Sequence, residues 1–246
     1  MKLHIPLALT ILLVSVSASY AKDDITKELI TSNGKKRAYY LYVPSTLKAE
    51  TTAPLIVTLH GSNRTGVTLV EKWKDYARKE GIILAGPDAS DLRGWGSPQD
   101  GPDFLRDLVE ELKSKHPVNP RRVYLFGHSA GGGFALHMSL MESEYFAAAA
   151  IHAGALRPDD YQLVELAKRK IPISIQIGDR DQLVPVKVVK DTSDALKKAG
   201  IPVDYIEIAN HDHWYYDKAS TFNRTAWEFM KKYELDAEPK YQKYKW

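Results

Sequence analysis

The stretch Gly127-His128-Ser129-Ala130-Gly131 constrains this chain most, because it sets a serine among glycines and an alanine. Residues 122–126 before it are largely apolar and β-prone, and residues 132–136 after it are compatible with a helix. A serine on a sharp turn between strand and helix needs small neighbours, or its Oγ could not stand clear. The pattern predicts a nucleophile elbow, with Ser129 at a helix N-terminus that favours negative charge.

Apolar stretches of strand and helix character alternate along the rest of the chain. Strands are predicted at 27–32, 36–43, 53–59, 82–85, 123–126, 146–151, 173–177 and 203–208. Helices are predicted at 67–80, 102–115, 159–170, 186–199 and 221–232, with one more running from the elbow to about residue 141. This alternation favours an α/β fold, a mostly parallel central sheet with helices on both faces. Asn33-Gly34 signals a hairpin, so the first two strands are expected to lie antiparallel at one edge.

Acidic and histidine side chains follow two of the later strands, where the ligands of an open parallel sheet bind. Asp179 and Asp181 follow the strand 173–177, and His211 and His213 follow the last strand. A serine hydroxyl becomes nucleophilic when a base takes its proton, and a carboxylate must hold that base in the right tautomer. The chain order predicts a catalytic triad of Ser129, Asp181 and His213.

Asp179 and His211 remain alternatives for the acid and the base. Asp181 is favoured because it lies farther into its loop, where it can reach across to the histidine loop. His213 is favoured because the bulky residues 214–216 that follow it can restrict its ring and shield the Ser–His contact from water.

The loop His60-Gly61-Ser62 follows another buried strand and is predicted to help stabilise an oxyanion. One backbone donor is expected from Ala130, the residue after the nucleophile, and the second from the N–H of Ser62. His60 is interpreted as a brace for this loop and His128 as a packing residue. Candidate aromatic walls for a pocket are Trp95, Tyr161, Trp214 and Tyr215.

Composition restricts what else the chain could do. The net charge of +3 is spread too evenly to indicate a nucleic-acid-binding protein, and the absence of cysteine excludes disulfides and thiolate metal sites. The pair His211 and His213 with Asp212 could suggest a metal site, but no third ligand is nearby. No metal and no cofactor are predicted. The tail 240–246, with three lysines and three aromatic residues, is expected to be solvated or loosely packed.

Residues 1–21 have the pattern of a signal peptide. Lys2 gives a basic start, 5–16 is almost wholly apolar, and Ser19 and Ala21 are small residues at the positions that a signal peptidase reads. Cleavage after Ala21 is expected, with an uncleaved anchor as the alternative. This predicts a secreted or periplasmic protein without stable membrane association, whose residues 22–246 form one catalytic domain.

The chain resembles α/β-hydrolase esterases, most closely the group of polyhydroxybutyrate depolymerases, feruloyl esterases and acetyl xylan esterases. The similarity lies in residues 54–61, 103–112, 121–124, 127–132, 146–149, 152–154 and 181–185. It implies the α/β-hydrolase fold and a serine carboxylesterase that acts through an acyl-enzyme on a small-molecule or sugar-linked ester. The Asp-His-x-Tyr-Tyr pattern at 212–216 resembles the histidine loop of esterases related to S-formylglutathione hydrolases, which again favours His213.

Two other functions fit the same motifs. A serine peptidase of the prolyl-oligopeptidase type has the same triad order, and an inactive α/β-hydrolase could act as a binding protein. Retention of serine, acid and histidine candidates favours an enzyme over a binding protein.

Overall fold

The computed structural model describes residues 23–48 and 50–244. Its strands are β1 (Thr26–Ser32), β2 (Lys35–Tyr42), β3 (Ala53–Leu59), β4 (Ile83–Pro87), β5 (Val118–His128), β6 (Ala148–His152), β7 (Ile173–Gly178) and β8 (Val203–Ile208). Its helices are α1 (Val67–Glu80), α2 (Pro102–Lys115), α3 (Ala130–Met141), α4 (Tyr161–Leu166), α5 (Val186–Lys198) and α6 (Ala219–Met230), and a 3₁₀ turn spans Pro158–Asp160.

The strands form one eight-stranded sheet in the order β1-β2-β4-β3-β5-β6-β7-β8. From β4 to β8 all neighbours pair in parallel, whereas β1 with β2 and β2 with β4 pair antiparallel. Asn33 and Gly34 both have positive φ, 48° and 73°, and connect Ser32 to its cross-strand partner Lys35. The predicted fold class and the hairpin at the sheet edge are therefore confirmed.

Helices cover both faces of the sheet, which explains why β3 is almost wholly apolar. Every residue of β3 is buried, and its alternate side chains enter two different clusters, Leu55 and Val57 in one and Ile56 in the other. The first cluster lies under α2, α3, α4 and α5, and the second lies under α1 and α6. A strand with helices above and below cannot alternate polar and apolar residues.

Some predicted boundaries were wrong. β5 begins at Val118 rather than 123, and the prediction missed residues 119–122 because they are only half-buried and carry no apolar pattern. β6 begins at Ala148 rather than 146. The helix predicted at 159–170 is α-helical only at 161–166. Beyond it, the Arg169 guanidinium donates to the carbonyls of Ser143, Phe146 and Ala147, a tertiary contact that draws the chain away from helical geometry.

The expectation of a loosely packed tail was also wrong for its described part. The Tyr241 hydroxyl donates to Asp103, and the Gln242 amide donates to the Met141 carbonyl at 2.9 Å. The backbone N–H of Gln242 donates to Glu142 at 3.3 Å. Tyr241 and Tyr244 therefore contact the rest of the domain through their hydroxyls, and sequence spacing alone does not distinguish such residues from a solvated end.

The predicted signal peptide at 1–21 lies outside the described residues, so cleavage and export stay predictions, as does the extent of the catalytic domain at 22–246. Over the ranges that the structure does describe, no helix is both long enough and apolar enough to cross a membrane.

Candidate active site

Ser129 occupies a strained turn between β5 and α3. Its φ is 58° and its ψ is −121°, a combination that costs energy for a residue with a Cβ. The backbone tolerates this because the flanking glycines allow very close packing. A Cβ on Gly127 would lie 2.2 Å from the Gly131 carbonyl oxygen, and a Cβ on Gly131 would lie 1.9 Å from that of Leu59. This is the geometry of a nucleophile elbow, as the sequence predicted.

Ser129, His213 and Asp181 lie in one hydrogen-bonded line. The His213 Nε2 is 2.8 Å from the Ser129 Oγ, and the His213 Nδ1 is 2.8 Å from the Asp181 Oδ2. The other Asp181 oxygen accepts the backbone N–H groups of Leu183 and Val184 at 2.9 and 2.8 Å. The Asp181 side chain is fully buried and that of His213 is 13% exposed, so the carboxylate is fixed and shielded beneath the imidazole.

The two alternative residues lie in different surroundings. Asp179 is exposed, and its carboxylate accepts the backbone N–H of His211 at 3.2 Å. The His211 ring is buried and its Nε2 lies 3.3 Å from the Nε2 of His152. Neither residue has a hydrogen bond to Ser129 or His213 among the described residues. The structure thus brings together the favoured three residues and leaves the two alternatives outside the line.

The two residues predicted to donate to an oxyanion, Ala130 and Ser62, both belong to segments that border Ser129 or its cavity. Ala130 is the first residue of α3, where a backbone N–H has no acceptor within the helix. Ser62 lines the same cavity as Ser129, and its Oγ donates to the Arg93 carbonyl at 2.7 Å. The next N–H, that of Asn63, is already donated to Leu92 at 2.6 Å. The positions of Ala130 and Ser62 are compatible with the predicted roles, which stay predictions.

His60 braces the loop that carries Ser62. Its Nε2 accepts the Ala89 N–H at 3.1 Å, so its Nδ1 carries the proton and donates to the Gly61 carbonyl at 2.9 Å. Trp95 donates its indole N–H to the His60 carbonyl at 2.8 Å. Burial lowers the pKa of His60, which favours the neutral ring that this pattern needs.

A cavity of about 670 Å³ opens in front of Ser129. Its walls include Arg64, Arg180, Leu183, Trp214 and Tyr216. Leu183 and Trp214 are 74% and 44% exposed, and the Arg64 guanidinium lies over the Trp214 and Tyr216 rings at 5.3 and 5.1 Å. The cavity therefore has an apolar and aromatic rim with two cationic side chains.

Of the four aromatic residues proposed as walls, Trp214 alone lines this cavity. Tyr215 is buried against His128, Trp95 stacks on Phe134, and the Tyr161 hydroxyl contacts Thr192. Arg64 and Tyr216 were not predicted. A weak signal existed for Tyr216 in the aromatic run after His213, and none for Arg64.

Comparison with known proteins places the chain in a family. The sequence profile of the dienelactone hydrolase family matches residues 88–238, more than half of the chain. The chain belongs to the dienelactone hydrolase family. This agrees with the resemblance to α/β-hydrolase esterases predicted from the sequence.

Curated proteins similar to this chain include proteins named as an esterase and as a depolymerase. NocK of Nocardia uniformis subsp. tsuyamanensis, a presumed esterase, is 30% identical over 166 residues, which cover 62% of this chain and 47% of that protein. Poly(3-hydroxyalkanoate) depolymerase C of Paucimonas lemoignei is 28% identical over 157 residues, covering 58% of this chain and 37% of that protein. The chain thus spans less than half of the length of either curated relative.

A solved structure of a ferulic acid esterase has the same fold. It superposes with a TM-score of 0.71 at 17% identity, covering 85% of this chain and 97% of the other. At that identity the likeness supports the α/β-hydrolase fold alone.

Three buried histidines of this dienelactone hydrolase family member lie directly behind the site. Burial lowers the pKa of His128 to about 3, that of His152 well below its usual value, and that of His211 as well. The folded protein therefore holds all three rings neutral near pH 7. His128 was predicted to pack, but His152 was given no role in sequence reasoning. In the described part of the chain, no cluster of three or more histidine or acidic side chains is arranged to hold a metal ion.

We expect the free energy of unfolding to decrease as the pH falls below about 6.5, where histidines of the unfolded chain take up protons. In the folded protein His128 takes up a proton only near its lowered pKa of about 3. Its neutral form therefore stabilises the fold fully above pH 6.5, and this stabilisation is lost as the pH falls from 6.5 to about 3. For His128 and His152 the loss should be roughly 1 kcal/mol per residue for each pH unit. Urea unfolding at pH 7, 6 and 5 measures this slope.

Glu142 opposes that slope and offers a control. Burial raises its pKa to about 7, so the folded protein takes up a proton there at a higher pH than the unfolded chain does. Between pH 7 and about 4.5 this group therefore adds stability as the pH falls. Glu142→Gln should make the decrease in stability steeper. A flat or rising stability in the wild-type protein between pH 7 and 5 would contradict the assignment of neutral buried histidines.

Proposed function

We propose that the protein is an exported serine carboxylesterase that hydrolyses carboxylic ester bonds through an acyl-enzyme on Ser129. The observation that carries this proposal is the line from Asp181 through His213 to Ser129, with both contacts at 2.8 Å, at a strained elbow that faces an open cavity. Membership of the dienelactone hydrolase family supports a hydrolytic reaction.

In the first step, the Ser129 Oγ attacks the ester carbonyl carbon while the His213 Nε2 takes the hydroxyl proton. Asp181 accepts the Nδ1–H of His213, so the ring presents its unprotonated Nε2 to the serine and its positive charge is stabilised when it forms. The tetrahedral intermediate then collapses, the C–O bond to the alcohol breaks, and the imidazolium gives its proton to the leaving alkoxide. Ser129 is left as an ester of the acid.

The second step repeats the first with water as the nucleophile. His213 takes a proton from water as its oxygen attacks the acyl-enzyme, and then returns a proton to the Ser129 Oγ as the acid leaves. In both steps negative charge develops on the former carbonyl oxygen, next to the N–H groups proposed for Ala130 and Ser62. One such donor contributes on the order of 3 kcal/mol to transition-state stabilisation.

The proposed substrates are small-molecule or sugar-linked esters. The cavity is open, its rim carries Leu183 and Trp214, and Arg64 and Arg180 add positive charge. The names of the compared proteins refer to a poly(3-hydroxyalkanoate) and to ferulic acid. Esters of hydroxyalkanoic acids and of ferulic acid therefore belong in a substrate panel.

Two measurements test the proposal. A fluorophosphonate should label the purified protein at Ser129, as mapped by mass spectrometry of the labelled peptide. A panel of acetyl and feruloyl sugars, hydroxybutyrate oligomers, aryl esters and prolyl peptide amides should then show turnover of the esters. Labelling with turnover of amides only would favour a peptidase, and absence of labelling would favour an inactive binding protein.

The two acids of the β7–α5 loop should differ greatly in their effect on rate. Asp181→Asn removes the acceptor that fixes the His213 tautomer, and kcat should fall by about 10⁴-fold. Asp179→Asn makes the same chemical change on an exposed carboxylate that only accepts the His211 N–H, and a loss within about threefold is expected for such a surface contact. Measuring kcat for an aryl ester in both variants tests this difference. Equal, mild losses of kcat would mean that the catalytic acid is another residue.

Export is proposed from the pattern of residues 1–21. Expression of the full chain in a bacterial host with a secretory pathway should yield a product that begins at Lys22, measured by intact mass. Recovery of the protein in the cytoplasm with residues 1–21 attached would contradict export and leave the proposed chemistry untouched.

A further inference from the structure

A chain of three buried imidazoles connects the loops that carry Ser129 and His213. The Nδ1 atoms of His128 and His152 are 3.1 Å apart, and the Nε2 atoms of His152 and His211 are 3.3 Å apart. All three side chains are buried, with His152 fully so. His128 directly precedes Ser129, His152 ends β6, and His211 lies two residues before His213. The rings therefore span the gap between the elbow and the histidine loop.

When all three rings are neutral, the two contacts require matched tautomers. A neutral imidazole carries one N–H donor and one acceptor nitrogen. His152, in the middle, must donate with one nitrogen and accept with the other, so the tautomers of its two neighbours follow from its own. The pKa of each ring is lowered, first by burial, and this keeps the chain neutral.

His152 holds the elbow in two ways. Its carbonyl accepts the backbone N–H of Ser129 at 2.9 Å, and its ring bonds to His128, the residue before Ser129. Since Ser129 has a strained backbone, contacts on both sides of its peptide help to keep it in that conformation.

His211 joins the histidine loop to the acid loop. Its N–H donates to Asp179 at 3.2 Å, and its carbonyl accepts the N–H of Arg180 at 2.9 Å. Its ring continues the chain to His152. Through this residue, the loops that carry Asp181 and His213 are tied to the strand end that holds Ser129.

Aromatic rings enclose the imidazole chain. The Phe222 ring lies 4.5 Å from that of His152 and 4.8 Å from that of His211, measured between centroids. Tyr215 stacks on His128 at 5.3 Å. Hydrogen bonds in such an apolar environment are not exchanged for bonds to water, so they hold their geometry.

We propose that His128, His152 and His211 form a clasp that sets the position of Ser129 relative to His213, with His152 as its central positioning residue. His152 contacts neither the Ser129 hydroxyl nor the cavity, so it acts through its neighbours. The proposal rests on the esterase function proposed above. A misplacement of reacting groups by about 1 Å can lower a rate by about 100-fold, so a clasp of this kind has a measurable effect.

His152→Phe tests the clasp, because it keeps a buried ring between Phe222 and Tyr215 but removes both hydrogen bonds. We expect kcat for an aryl ester to fall by about 100-fold while KM changes by less than threefold, since the cavity walls are untouched. The rate of fluorophosphonate labelling should fall by a similar factor. Ile175→Ala is the matched control. It opens a space in the buried core strand β7 and should lower the melting temperature, yet leave kcat within twofold.

Non-additivity separates a clasp from three independent packing residues. His211→Phe breaks one contact and should lower kcat by about tenfold, and the double variant with His152→Phe should be no slower than His152→Phe alone. In the wild-type protein, nitrogen NMR of the labelled imidazoles should show neutral rings and slowly exchanging N–H···N protons. The NMR measurement and the kcat of His211→Phe decide the matter even if His152→Phe does not fold.

The clasp would be refuted by wild-type kcat in a folded His152→Phe variant, by additive losses in the double variant, or by rapid exchange of the imidazole N–H protons in the NMR spectra. Each of these results is obtained on a protein whose wild-type form labels with fluorophosphonate and turns over ester. Failure of the wild-type protein itself to label at Ser129 would instead refute the proposed function.

Discussion

Ser129→Ala is expected to lower kcat for ester hydrolysis by about 10⁶-fold, the typical loss when the nucleophile of a serine–histidine pair is removed. The loss should appear in kcat rather than KM, because the cavity walls keep their shape. A residual acceleration of about 10³-fold over water can remain from the oxyanion donors and substrate binding. Initial rates with an aryl ester, measured on protein free of wild-type contamination, give the fold-decrease in kcat.

The fold should survive this change. Alanine keeps the Cβ that the elbow already accommodates at a φ of 58°, and only the contact of the hydroxyl with His213 at 2.8 Å is lost. Ser174→Ala provides the matched control, since it also removes one hydroxyl, here a buried one without a hydrogen-bond partner among the described residues. That variant should keep wild-type turnover. Near wild-type turnover in Ser129→Ala would exclude Ser129 as the nucleophile.

The fold class and the proximity of the three favoured site residues could be predicted because their signals are local. β3 and α1 have the predicted bounds, 53–59 and 67–80. The continuous apolar run of β3 and the helical spacing of apolar residues in α1 can each be recognised within a short stretch of sequence. The elbow is a contiguous pattern, and Asp181 and His213 each follow a strand directly. Parallel strands bring their carboxyl ends together, so order along the chain becomes proximity in space.

Features that depend on distant partners could not be predicted. The short α4 follows from Arg169, whose guanidinium reaches carbonyls more than 20 positions earlier in the chain. The docking of Gln242 onto Met141 and Glu142 joins segments about 100 positions apart. His152 was overlooked for the same reason, since its partners His128 and His211 come from other strand ends. The hydrophobic pattern of one segment does not predict which distant segment it will contact.

The choice between His211 and His213 as the base could be narrowed from the sequence but not made, because both residues lie in the same short loop. In the structure the two rings have different neighbours. The His213 Nε2 is 2.8 Å from the Ser129 Oγ, whereas the His211 Nε2 is 3.3 Å from the Nε2 of His152. The two substitutions to alanine remove the same group from positions two residues apart and serve as controls for each other.

His213→Ala should lower kcat by about 10⁶-fold, as much as the loss of the nucleophile, because the two residues act as one unit. His211→Ala removes one contact of the clasp and should lower kcat by only about tenfold through a small displacement of the loop. Added imidazole should restore part of the turnover of His213→Ala, since it can enter the space left beside Ser129, and should not restore Ser129→Ala.

The pH profile of kcat/KM gives an independent test: the acid limb should keep its position in His211→Ala, because that ring does not exchange the serine proton. Burial lowers the pKa of His211, so a base at that position would keep its activity at lower pH. Loss of turnover in His211→Ala together with retained turnover in His213→Ala would therefore transfer the role of base to His211, and would require the loop to rearrange when substrate binds.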